Sequence, residues 1–188
     1  MSEHRGGPER AALRAKDGDR GAARVLVAGI GNIFLSDDGF GVEVARRLAA
    51  SALPEGVTVG DFGIRGIHLA FEILDGAYDE VVIVDACAHG AAPGTIVVFE
   101  PDAERTIGDP TADGHSLDPA SVLRFVRRFV SAGGPERAIL RECPRIVVVG
   151  CEPETIDEGV GLSDAVAAAV DEAVQMVRGE ISVGSAAL

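Results

Sequence analysis

The stretch RVLVAGIGNIFLSDDGFGVEVARRL, residues 24–48, sets two adjacent carboxylates, Asp37 and Asp38, just beyond a glycine turn at Gly29 and Gly31. A glycine turn that opens a helix commonly receives a phosphate. A pair of acids in the same place suits a cation instead. The G-x-G-x-x-G fingerprint of dinucleotide sites would need a third glycine at position 34, which is Phe34. Asp61, at the end of the next apolar segment, imitates a ribose-binding acid, but the two carboxylates would occupy or repel the pyrophosphate. One of them can also be explained as a cap on the helix from Gly39, where the helix dipole favours an acid by ~0.3–1 kcal/mol. That leaves the other without a role.

A third acid favours the cation. The segment EVVIVDAC delivers Asp85 at the carboxyl end of a wholly apolar run, and an acid ending a buried strand is costly unless paired or bound. In open α/β sheets ligands collect outside the carboxyl ends of the strands. If the first and third strands are neighbours, Asp38 and Asp85 converge on one crevice. The later loop DPTADGHSLDP offers His115, just before a helix cap at Asp118. Two aspartates and a histidine make a three-ligand transition-metal site with open positions. The same loop opens like a calcium-binding EF-hand at Asp109, but its twelfth position is Ala120 where a bidentate Glu is required.

The elements that must position these groups alternate in period. Apolar, β-branched runs at 25–30, 57–62, 81–85, 95–99 and 146–150 predict five strands, several of them covered on both faces. Between them lie helical stripes: Ile67, Ala70, Phe71 and Leu74; then Val122, Phe125, Val126 and Phe129, after a start at Asp118-Pro119. The longest stripe runs from Leu162 to Val177. The order predicts a three-layer α/β/α sandwich, phosphorylase/hydrolase-like, with a five-stranded, mostly parallel mixed sheet. The link CAHGAAPG between the third and fourth strands is too short for a crossover helix, so the fourth strand is expected to run antiparallel to the third. Residues 1–22 read as a mobile arm, 23–180 as one domain and 181–188 as a flexible tail.

Composition narrows the partners. The chain has 188 residues and is 47% hydrophobic, enough for a single sizeable core. A net charge of −13 argues against nucleic acid or an anionic membrane. No apolar run approaches the ~20 residues needed to span a bilayer, and with no signal-peptide core at the N-terminus a cytoplasmic location is expected. Cys87, Cys143 and Cys151 form no C-x-x-C and read as reduced packing residues.

The motifs GIGNIFLSDDGFGVEVARRL, VDAC-x-HG-x-x-PGT (84–95), GHSLDPASVL (114–123) and VGCEPETIDEGVGLSDAV (149–166) resemble the hydrogenase maturation endopeptidases over residues 24 to about 178. These enzymes trim the C-terminal extension from the large subunit of [NiFe] hydrogenases after nickel insertion. The resemblance implies that Asp38, Asp85 and His115 contact metal, with Asp38 and Asp85 as the catalytic carboxylates. It also implies that nickel is the cofactor, carried by the large-subunit precursor that is the partner. The class is often described as aspartic-type, and either a carboxylate base or metal-polarised water would fit it. Two features depart from the family pattern. Asp38 stands where several members have Glu, and Phe62-Gly63-Ile64 stands where many have Gly-Gly-Thr; with Ile64, Arg65 and His68, the latter suggests a subgroup with a different precursor.

Two other readings compete. One is a non-catalytic nickel- or metabolite-binding α/β module using the same crevice. The other is a cysteine hydrolase with Cys87 as nucleophile and His89 as base, although no oxyanion-binding signal accompanies that pair.

Overall fold

The computed structural model describes residues 23–76, 78–101, 122, 126 and 144–186. Its framework is one five-stranded sheet with strand order β2-β1-β3-β5-β4. The strands are β1 (Val25–Ile30), β2 (Val57–Gly63), β3 (Glu80–Ala86), β4 (Ile96–Phe99) and β5 (Arg145–Cys151). All six residues of β1 are buried, as are the first six of β3 and the last six of β5. This is why those runs are apolar almost throughout: the central strands of a sheet covered on both faces have no solvent side.

The pairs β1–β2, β1–β3 and β3–β5 are parallel, and β4 pairs antiparallel with β5. The fourth strand therefore runs opposite to β3, as the short link requires. It lies beyond β5, at the sheet edge, and is not hydrogen-bonded to β3. The first and third strands are neighbours, with Gly29 opposite Val84.

On one face lie α1 (Phe40–Ala49) and α3 (Asp164–Ala186). Phe40, Val44 and Leu48 of α1 and Val166, Val170, Ala173, Val177 and Ile181 of α3 pack against Val25, Val27, Val82 and Val84. On the other face α2 (Gly66–Gly76) and the helical positions Val122 and Val126 cover Leu26, Ala28, Val81 and Ile83. Each fully buried side chain of this size contributes roughly 1.5–3 kcal/mol. Among the described residues no helix is long and apolar enough to cross a membrane.

Two sequence expectations are corrected. The buried side of α2 carries Leu69, Ala70 and Ile73, whereas Ile67 and Phe71 are about half exposed. The helix is apolar nearly all round, so periodicity alone does not select its inner face. The expected tail from residue 181 begins inside α3, which continues to Ala186. Ile181, one helical turn beyond Val177, belongs to the core and is 1% exposed. The arm at 1–22, the helix start at Asp118-Pro119, Phe125, Phe129 and the loop at 109–120 lie outside the described residues.

Candidate active site

The carboxyl edge of β1 and β3 is closed over by the chain that follows β1. Gly31 has φ +122°, a conformation that favours glycine, and a Cβ there would overlap the Asp38 carbonyl oxygen. A few residues on, α1 begins so close to the sheet that a Cβ on Gly41 would overlap the carbonyl of Val84. Between these two approaches runs a 3-10 turn, Ser36–Gly39, that carries both acids. The turn carrying Asp38 thus lies between close approaches to β1 and to the end of β3. The two carboxylates expected to meet are brought to one edge of the sheet by β1–β3 pairing and two close backbone approaches. His115 lies outside the described residues.

The two acids of the pair have different tasks. Asp37 is fully buried. Its Oδ2 accepts the backbone N–H of Glu154 at 2.8 Å and of Thr155 at 3.1 Å, and the Ser163 hydroxyl at 2.9 Å. Its Oδ1 accepts the N–H of Ser163 at 2.6 Å. Burial would raise the pKa of this carboxyl, but the donors outweigh it and hold the group below its ordinary value. The cap on α1 is not supplied by either aspartate, because the helix start has no side-chain cap. Asp37 instead ties the loop 152–163 to the turn.

Asp38 is half-buried, and its Oδ2 accepts the N–H of Asn32 at 2.6 Å. Burial pushes its pKa up, and the single Asn32 donor only partly offsets this. Asp85 is 8% exposed at the end of β3. An acid whose charge is disfavoured in its own fold gains from an arriving cation, and two hard oxygen donors suit a borderline metal completed by imidazole. Among the described residues no three His, Cys, Asp or Glu side chains gather around one point; the two aspartates are the described part of the expected trio.

Ser36, just before the pair, has φ +49°, a rare and strained state for a residue with a side chain. It is held there by its N–H to the carbonyl of Gly159 at 3.1 Å and its hydroxyl to the carbonyl of Asp157 at 3.1 Å. Leu35 also forms an isolated parallel bridge with Gly159. The loop 152–163 is therefore stitched along the whole acidic turn. Its rim is apolar and open, with Phe34 65% and Val160 84% exposed. Beside it a cavity of about 360 Å³ opens among Ile33, Val160, Leu162 and Val170.

The described cysteines, Cys87 and Cys151, are both free thiols. Burial pushes the Cys151 thiol up to about 11. Cys87 packs over Gly150, where a Cβ would come 3.1 Å from Sγ. The Nδ1 of His89 contacts the carbonyl of Cys87 at 2.8 Å. Cys143 lies outside the described residues. Asp61, the would-be ribose acid, faces Arg46 at 3.8 Å on the surface.

Comparison with known proteins decides the class. A family model described as hydrogenase maturation protease matches residues 42–180. The chain belongs to the hydrogenase maturation protease family. It is an endopeptidase, a hydrolase acting in hydrogenase maturation. A Methanocaldococcus jannaschii protein named as a hydrogenase maturation protease is 32% identical over 160 residues, covering 84% of this chain and 96% of that one. The solved hydrogenase maturating endopeptidase of Escherichia coli superposes with a TM-score of 0.68 at 28% identity, over 85% of this chain and 92% of that one. A [NiFe] hydrogenase maturation protease of Thermococcus kodakarensis superposes with a TM-score of 0.62 at 26% identity, over 84% and 99%. The α/β sandwich and the peptidase class stand, and the non-catalytic module is not favoured.

Sequence reasoning missed the partners of Asp37 and gave no role to Glu152, which organises the loop after β3. One local signal was available: Ser163 before an apolar helix is an N-cap, and its hydroxyl lies 3.4 Å from the N–H of Val166.

Proposed function

We propose that this maturation protease removes the C-terminal extension of a [NiFe] hydrogenase large-subunit precursor once nickel is in place, and that Asp38, Asp85 and His115 meet the metal. The observation that supports this reading is a half-buried Asp38, its pKa raised by burial, on a turn that leads into a helix packed against the end of the strand bearing Asp85. Nickel is part of the substrate here. Two carboxylates and an imidazole form a weaker nickel trap than a thiolate site, so the enzyme reads a metal held by the precursor instead of keeping its own. Asp38 and Asp85 polarise the attacking water and face the cation, and the apolar rim at Phe34 and Val160 accommodates the peptide.

The experiment compares purified precursor with and without nickel at matched enzyme concentration, following loss of the tail by mass spectrometry. The loaded form is expected to be cut and the unloaded form left intact. Equal cleavage of both would remove the metal-reading role and leave the peptidase.

A further inference from the structure

The loop leaving β3 after Asp85 is wound around one carboxylate. Glu152 is 8% exposed, and its Oε2 accepts the N–H of His89 at 2.7 Å and of Ala91 at 3.2 Å. Its own carbonyl accepts the N–H of Gly94 at 2.8 Å, and its N–H donates to the carbonyl of Thr95 at 2.9 Å. The same Oε2 lies 3.1 Å from Nδ1 of His89, and that nitrogen is also 2.8 Å from the carbonyl of Cys87.

Both neighbours of Nδ1 are acceptors. A carbonyl has no proton to give, and the N–H donors of His89, Ala91 and Gly90 hold the Glu152 carboxyl below its ordinary range. Nδ1 therefore carries the proton of the neutral ring, and Nε2 presents a lone pair. Among the described residues Nε2 makes no hydrogen bond, and the side chain is 28% exposed. Asp85 sits opposite Gly150 and Ala86 opposite Cys151. Glu152 leaves β5 one residue beyond that register, so the imidazole and its carboxylate belong to the same sheet edge as Asp38 and Asp85.

We propose that His89, oriented by Glu152, is the proton carrier of the peptidase. This rests on the peptidase reading and assigns a group to its proton transfers. As the water oxygen bonds to the scissile carbon, one O–H bond breaks and its proton passes to Nε2, while the carbonyl π pair moves onto oxygen. As the carbonyl re-forms, the C–N bond breaks with its electron pair remaining on nitrogen. That nitrogen takes the proton from Nε2, and the ring ends neutral, as it began. The Glu152 carboxylate stabilises the imidazolium between the two transfers. Glu152 is a positioning residue, since it acts only through the ring. The carboxylates of the acidic crevice keep the cation side of the reaction.

Two measurements test the proposal. Long-range ¹H–¹⁵N NMR of the full chain is expected to show the Nδ1–H tautomer for His89; the Nε2–H tautomer would overturn it. In single-turnover assays on nickel-loaded precursor, His89→Gln is expected to lower kcat about 100-fold, as loss of a general base does, with KM little changed. His89→Gly should regain part of its rate on addition of imidazole, which a purely structural role would not allow. Glu152→Gln should lower kcat by a smaller factor with KM likewise kept. A folded His89→Gln protein that cuts at the wild-type rate, or whose loss lies wholly in KM, overturns the proposal alone. A wild-type protein that does not cut the loaded precursor sinks the proposed substrate, and the tautomer measurement then decides the role of His89 separately.

Discussion

Strand β3 runs between two acidic edges of the sheet, and the described acids at those edges are held in opposite ways. At the amino edge Glu80, 4% exposed, faces Arg145 at 3.3 Å, and the same guanidinium group reaches Glu100 at 2.7 Å and Glu180 at 3.5 Å. At the carboxyl edge the acids Asp37, Asp38 and Glu152 are held by backbone N–H groups, and no arginine or lysine pairs with them among the described residues. A side-chain cation neutralises charge within the fold, whereas N–H dipoles stabilise a carboxylate without cancelling its charge. The amino edge answers its acids with a guanidinium group of its own. Among the described residues the carboxyl edge keeps its negative charge uncancelled by arginine or lysine.

The largest expected effect separates the two edges by function. Asp38→Asn and Asp85→Asn should each lower processing by about 100-fold or more in the precursor assay, while Arg145→Met should process at the wild-type rate. The Asp38 pKa is raised in the folded state. Its charge therefore costs stability as pH rises through its unfolded and then its folded value, and that cost is absent below the unfolded value. Asp38→Asn should accordingly melt at or slightly above the wild-type temperature at neutral pH. A protein with Asp38→Asn that cuts normally would erase the contrast.

An intermediate effect is expected at Asp37, which the same edge uses structurally. Asp37→Ala leaves buried N–H donors without a partner and should cost about 3 kcal/mol in denaturant unfolding, with processing lost as the acidic turn detaches. The folded pKa of Asp37 is depressed. Its contribution is thus present above the unfolded carboxylate value and lost as pH falls through the folded one. The stability gap between wild type and Asp37→Ala should therefore narrow in acid; a gap independent of pH would show that the charge of Asp37 is not what the donors hold.

The smallest effect belongs to the amino edge. Arg145 is 42% exposed, so solvent screens its pairing, and Arg145→Met should cost only about 1–2 kcal/mol. Burial raises the Glu80 pKa against the pull of Arg145, so protonation relieves an unpaired Glu80 and the loss should shrink towards low pH. A loss that grows in acid would contradict the pairing.

Much of this was legible locally. The apolar runs of β1, β3 and β5 show strands buried on both faces, and Asp85 stands out because it ends one of them. The glycines around Asp38 mark close approaches, and the one between Gly41 and Val84 follows once β1 and β3 are taken as neighbours. Other features had no local trace. The inner face of α2 was ambiguous because Gly66-Ile67-His68-Leu69-Ala70-Phe71-Glu72-Ile73 offers apolar groups on more than one side. Glu152 looks like any acid in a polar loop until the chain from β3 is seen to wrap it. The division of labour between Asp37 and Asp38 depends on Glu154, Thr155 and Ser163, far away in sequence, and adjacent identical side chains carry no mark of which faces inward.

The tie from Asp37 to Ser163 spans 126 positions, and this separation bears on when the acidic turn is completed. Contacts so distant along the chain are slow to form, because the loop must close before the contact rewards it. During synthesis β1 and its acidic turn emerge before the loop 152–163, and the buried ties of Asp37 form only once Glu154, Thr155 and Ser163 have been made and folded back. The acidic turn of such a protease is completed by segments that are made late.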